Sequence, residues 1–149
     1  MSDRKLAVEA WENLFRAQHE LFVEMSSDFD GAGLSLAEYD VLLTVTRCAK
    51  HTARLREVTA RMLISQPSVS RLVDRMVARG LISKDPDPRD GRGSLIHATP
   101  EGVRAFHRLA AVHATTIAGR MSALSPDEQR TLRDLTRKLR GAGSAAETE

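Results

Sequence analysis

Residues 65–102, SQPSVSRLVDRMVARGLISKDPDPRDGRGSLIHATPEG, constrain the fold more than any other part of the chain. Ser65 is placed to cap a helix by accepting a hydrogen bond from a free backbone N–H, and Pro67 suits the first turn, where its missing N–H is not needed. Val69, Leu72, Val73, Met76 and Val77 then recur at steps of three and four, which predicts one apolar stripe facing a core. Pro67, Ser68, Arg71, Asp74 and Arg75 fall on the opposite side. Gly80 ends the helix, and Leu81 follows where a Schellman cap places an apolar contact with Met76.

After the helix, residues 81–84 and 94–98 are short, partly alternating segments that predict a small antiparallel hairpin. Between them, residues 85–93 hold two prolines that remove ladder donors and two glycines that permit positive φ. This stretch is therefore expected to protrude as a loop and not to extend the sheet. Arg89 and Arg92 ride on it, with Asp90 placed to hold the Arg92 guanidinium by a carboxylate pair. A helix, a basic hairpin and a further helix, in that order, make a winged helix. The physical fit is to DNA: short hydroxyls allow close approach in a major groove, a guanidinium fork matches guanine O6 and N7, and an arginine on a narrow protrusion can enter a minor groove. The candidate contacts are Gln66, Pro67, Ser68, Ser70, Arg71 and Arg75 on the helix and Arg89, Asp90 and Arg92 on the wing. A solvated surface helix beside an ordinary exposed turn is the competing reading.

The charge distribution bears on that choice. Net charge is only +2, too small by itself to mark a nucleic-acid binder. Residues 47–92, however, hold 11 Lys and Arg against 5 Asp and Glu, leaving 11 against 15 for the rest. Positive charge is concentrated around the reading head, where counterion release from phosphates requires it.

The remaining sequence predicts a frame. Leu6, Trp11, Leu14, Phe15, Gln18, Leu21, Phe22 and Met25 give a long amphipathic first helix that ends before the turn at residues 28–33. Ser35 and Glu38 form a capping box ahead of Tyr39, Leu42, Leu43 and Val45. A shorter helix around residues 55–62 completes a helix-turn-helix. Beyond the wing, Thr99-Pro-Glu opens a long helix carrying Val103, Phe106, Ala110, His113, Ile117, Met121 and Leu124. Ser125 and Glu128 form a second capping box before Leu132, Leu135 and Leu139, and Gly141 closes that helix. A lone winged head offers too little surface to cover such long stripes, so the first and the last two helices are expected to build a two-fold dimer interface.

The expected fold class is therefore mainly α (α+β), a single domain over residues 1–140. Its winged-helix part covers about residues 35–98 and its dimerisation helices residues 3–28 and 99–140, with a disordered tail over 141–149. Two symmetry-related recognition helices would address adjacent major grooves of a palindromic operator, with half-sites about 10 bp apart. Residues 1–5 lack a signal-peptide core and no apolar run is long enough to span a bilayer, which predicts a cytoplasmic protein, on the nucleoid when bound. One cysteine excludes an intrachain disulfide framework. No phosphate-cradling glycine loop, clustered carboxylates or nucleophile spacing suggests an enzyme, and no cofactor is expected.

The chain resembles the MarR family of transcriptional regulators. Ser65, Pro67, Ser68, Val69, Ser70, Arg71, Leu72, Val73, Asp74, Arg75 and Met76 match its recognition-helix pattern, Asp90-Gly-Arg92 its Asp-x-Arg wing, and Thr99-Pro-Glu-Gly102 the start of its next helix, with Ala98 in place of the usual leucine. The resemblance implies a dimeric winged-helix repressor or activator in which Ser68 and Arg71 are base readers and Arg92 is the minor-groove arginine. It also implies a small aromatic or phenolic effector, for which Trp11, Phe15 and Tyr39 could line a cleft; core packing competes for these three. Cys48 is open to two special roles, a metal site shared with His51 and a redox sensor, against that of an inert buried thiol. His107 and His113, six apart, suit interface packing or solvent better than a shared ligand. A winged helix that binds protein in place of DNA is the alternative overall, and it would make Arg71 and Arg92 dispensable.

Overall fold

The computed structural model describes residues 2–63 and 68–144. Its elements are α1 (Ser2–Met25), a 3-10 turn (Ser26–Phe29), α2 (Leu36–Thr46), β1 (Thr52–Arg54), α3 (Leu55–Arg61), α4 (Val69–Ala78), β2 (Ile82–Asp87), β3 (Asp90–Ala98), α5 (Pro100–Met121) and α6 (Pro126–Ser144). They fall into two compact units, Met1–His113 and Ala114–Glu149, with the boundary inside α5.

The first unit holds the core. Val41, Leu42 and Val45 of α2 pack with Val58 of α3, Leu72, Val73 and Met76 of α4, Ile82 and Ile96 of the sheet, and Phe106 and Leu109 of α5. The capping box at α2 is formed reciprocally: Ser35 Oγ accepts from the Glu38 N–H at 3.1 Å, and Glu38 Oε1 accepts from the Ser35 N–H at 2.9 Å. The second Glu38 oxygen takes a guanidinium N–H of Arg79, which also donates to the Gly33 carbonyl, so the start of α2 is tied to the end of α4.

The expected cap of α4 is corrected. Ser65 lies outside the described residues, and the N-cap is Ser68, whose Oγ accepts from the Arg71 N–H at 3.3 Å. Two residues separate the two serines, and the later one has the extended backbone a cap needs. At the other end Gly80 adopts φ +74°, the Leu81 N–H reaches the Met76 carbonyl at 3.1 Å, and the Gly80 N–H reaches Val77 at 3.0 Å. These are the two bonds of a Schellman motif, and Leu81 and Met76 are both buried as expected. Of the predicted stripe, Leu72, Val73 and Met76 are buried, Val69 is half-buried, and Val77 lies at the exposed margin.

The wing is longer than the sequence suggests. β2 and β3 stay paired through Asp85 opposite Leu95 and Pro86 opposite Ser94, within the stretch expected to be loop. The strand order β1-β3-β2 leaves β2 at an edge, where the missing proline N–H interrupts no ladder. β1, a third strand of three residues, was not anticipated, being too short to show a period of two. Thr99 caps α5 by accepting from the Gly102 N–H at 3.0 Å, and its own hydroxyl is turned to the carbonyls of Gly80 and Leu81. Gly102 is required there, because a Cβ would stand 1.9 Å from the Leu81 carbonyl oxygen.

In the second unit the Ser125–Glu128 capping box opens α6 as expected. The helix does not stop at Gly141, however, but runs to Ser144, so residues 141–144 are helical and not tail. Gly141 does not take the left-handed conformation of a helix stop, and a helical glycine costs only about 1 kcal/mol. Leu132, Leu135 and Leu139 are exposed along α6, as are Leu6, Trp11, Phe15 and Val23 along α1.

Candidate nucleic-acid interface

Asp40 anchors the chain just beyond α3. Its carboxylate is buried within α2, and Oδ2 accepts from the Leu63 backbone N–H at 2.7 Å, just beyond the end of α3. The sequence signal for this role is a carboxylate set among Tyr39, Val41 and Leu42. Gln66 and Pro67 follow in the stretch outside the described residues. On α4, Ser70, Arg71 and Arg75 are exposed, and among the described residues neither arginine enters an ion pair. Ser68 is half-buried, with its oxygen engaged as the cap. Asp74, beside them, meets Lys84 of β2 at 3.4 Å.

The wing turn is organised by two carboxylates. Asp87 Oδ1 accepts from the Arg89 N–H at 2.9 Å, and Asp90 Oδ1 accepts from the Arg92 N–H at 3.2 Å. Asp90 thus shapes the backbone and not the Arg92 guanidinium, in contrast to the expected pair; a carboxylate two residues before an N–H closes a local turn more readily than it reaches a long flexible side chain. The strand pairing jumps from Pro86 opposite Ser94 to Asp87 opposite Asp90, so residues 91–93 bulge out and carry Arg92 into solvent. Arg89 is likewise exposed at the tip.

These pieces meet in one place. An open groove of about 480 Å³ is lined by Arg54, Arg56 and Thr59 around α3, Ser70 of α4, and Asp90, Arg92 and Ser94 of the wing. Arg54 and Arg56 were missed as candidates because a three-residue strand running into a short helix gave no pattern on which to place them. Arg56 and Arg92, with Arg54 held on the Asp87 carboxylate that also lines the groove and Ser70 of α4 at its edge, give a concave surface that suits a polyanion with a groove of its own.

The other candidates lie elsewhere. Trp11 and Phe15 stack on α1 with centroids 5.3 Å apart, whereas Tyr39 packs against Phe29, Phe106 and His113; among the described residues no ring contact joins the two groups. Burial pushes the Tyr39 hydroxyl above its ordinary pKa, with the Arg47 guanidinium partly offsetting it. His113 faces this cluster and meets the Asp28 carboxylate at 2.9 Å, so it is neither free in solvent nor paired with His107. The Cys48 thiol donates to the Thr44 carbonyl at 3.3 Å and lies 3.9 Å from the Arg61 guanidinium. Among the described residues no three His, Cys, Asp or Glu side chains gather as a metal site, and no helix is long and apolar enough to cross a membrane.

The sequence pattern shared by the MarR family matches residues 32–93, from the approach to α2 through the wing. A relative from Bacillus subtilis, the uncharacterized HTH-type transcriptional regulator YkoM, is 31% identical over 136 residues, spanning 88% of this chain and 86% of the relative. The chain belongs to the MarR family. Solved MarR-family structures share its fold. Sco3205 from Streptomyces coelicolor, determined in complex with DNA, superposes with a TM-score of 0.72 at 20% identity over 88% of this chain and 86% of that one. BpsR from Bordetella bronchiseptica, whose DNA binding is regulated by 6-hydroxynicotinic acid, gives 0.73 at 23% identity over 86% and 90%. As a MarR-family member the chain is a transcriptional regulator with a winged helix-turn-helix, and not an enzyme.

Proposed function

We propose that this MarR-family regulator acts in the cytoplasm as a homodimeric repressor on a palindromic operator. The observation that carries the reading is a single open groove whose lining includes Ser70 of α4, Arg92 of the wing, and Arg54 and Arg56. In this reading α4 lies in the major groove, with Ser68 and Arg71 as base readers, Ser70 and Arg75 beside them on α4, and Gln66 and Pro67 as further candidate contacts. Arg92, with Arg89 beside it, enters the neighbouring minor groove, and Asp90 holds the turn that presents it. The exposed apolar residues of α1 and α6 support a second copy as partner, since apolar stripes of this length are rarely left in water.

An effector that favours a different spacing of the two heads would release DNA by its own differential binding free energy. The DNA-bound and ligand-regulated relatives support a small aromatic acid or phenol as its chemical class. The test is an anisotropy titration of an operator duplex across salt. Binding that weakens steeply with salt, and two chains per duplex, are expected; salt-independent affinity, or binding unchanged by loss of both Arg71 and Arg92, would favour a protein partner.

A further inference from the structure

Asp87 is 5% exposed, on a wing whose neighbouring residues project into solvent. A carboxylate withdrawn from water is stable only when its oxygens are satisfied, and both are: Oδ2 faces Arg54 Nε at 3.0 Å, and Oδ1 accepts from the Arg89 N–H. Arg54 ends β1 and Asp87 ends β2, the two strands that flank β3. Their ion pair therefore spans the sheet and fastens the free edge of the wing to the body of the head. Beyond it, Asp90 repeats the carboxylate-to-backbone bond for Arg92, so the turn and the bulge form a continuous series whose first member is anchored on Arg54.

We infer that Arg54 is a positioning residue for DNA binding, acting through Asp87 to fix the wing turn so that Arg92 projects in one direction. This deepens the function proposed above and rests on it. Its guanidinium is engaged with Asp87, and what it supplies is order: a cationic side chain whose backbone is already fixed loses less freedom when it binds. Without Arg54, Asp87 loses its charge partner and turns toward water, the Arg89 N–H loses its acceptor, and the bulge carrying Arg92 samples several directions. Contacts made by α4 stay in place.

A thermodynamic cycle on the full chain separates this role from a direct one. Duplex affinity is measured at low salt for the wild type, Arg54→Met, Arg92→Ala and the double variant, with Asp87→Asn taken through the same cycle. Arg54→Met and Asp87→Asn are each expected to weaken binding about tenfold when Arg92 is present and less than about twofold when it is absent. The salt slope is expected to fall by about one unit for each single variant and no further in the double variants. Equal losses in both backgrounds, or no loss at all, would overturn the inference. Should Arg54→Met lose its cooperative thermal transition, the nearly isosteric Asp87→Asn decides by the same criteria. Failure of the wild type to bind any duplex removes the functional reading and this inference together, whereas wild-type binding with additive losses removes the inference alone.

Discussion

Arg71 and Arg92 are both exposed arginines, yet their settings give them different consequences. Arg71 stands on the first turn of a capped, rigid helix, so Arg71→Ala should relax preference at one base pair by about 1–3 kcal/mol, read from competition among single-base operator variants. Arg92 stands on a bulge, so Arg92→Ala should lower affinity across sequences and flatten the salt slope by about one unit. Gly102→Ala tests packing alone: its Cβ would collide with a backbone carbonyl, and urea melts should show a loss of about 2 kcal/mol or more. Tyr39 is the chain's one tyrosine, so its titration is visible by phenolate absorbance. Burial raises its pKa in the native state, so folding holds the proton more tightly; that share of stability is complete below about pH 10 and is lost as pH rises through the native value. The native midpoint should therefore exceed the midpoint in urea, and an equal or lower native midpoint would contradict the burial described. Arg92 was legible because glycines flank it within a turn-rich stretch, but Ser65 and Ser68 are both plausible caps, and a pattern of hydroxyls does not say which carries extended backbone. Arg54 and Asp87 are far apart in the chain, and only the strand order brings them together.

Elements whose ends carry their own chemistry were readable. Both capping boxes, the Schellman end of α4 and the long first helix all rest on local hydrogen bonds or on a periodic stripe. Gly80→Ala should cost about 1–2 kcal/mol in chemical denaturation, because φ +74° places a Cβ against the carbonyl oxygen. A change below a few tenths would mean that the helix end can relax. The elements that were misread depend on tertiary context. Pro86 argues for loop, as Pro88 does correctly in the turn, but an edge strand tolerates a missing N–H on its open side, and only the position of β3 makes β2 an edge. β1 has three residues and exists because β3 lies beside it. Gly141 looked like a stop, but a glycine ends a helix only when it takes positive φ, which composition does not reveal.

Engaging two half-sites requires a second copy of the chain. Trp11 is the only tryptophan in the chain and is 61% exposed, so its emission reports whether α1 meets a partner. Dilution through the dissociation range should shift that emission to the red, and Trp11→Ala should weaken self-association; concentration-independent emission would contradict a dimer built on this stripe. Whether two heads sit on one duplex is decided by selecting bound duplexes from a random pool with this chain. Two heads on one duplex enrich an inverted repeat whose half-sites lie about one helical turn, roughly 10 bp, apart. Enrichment of a solitary, asymmetric site, or of no site above the starting pool, would contradict it.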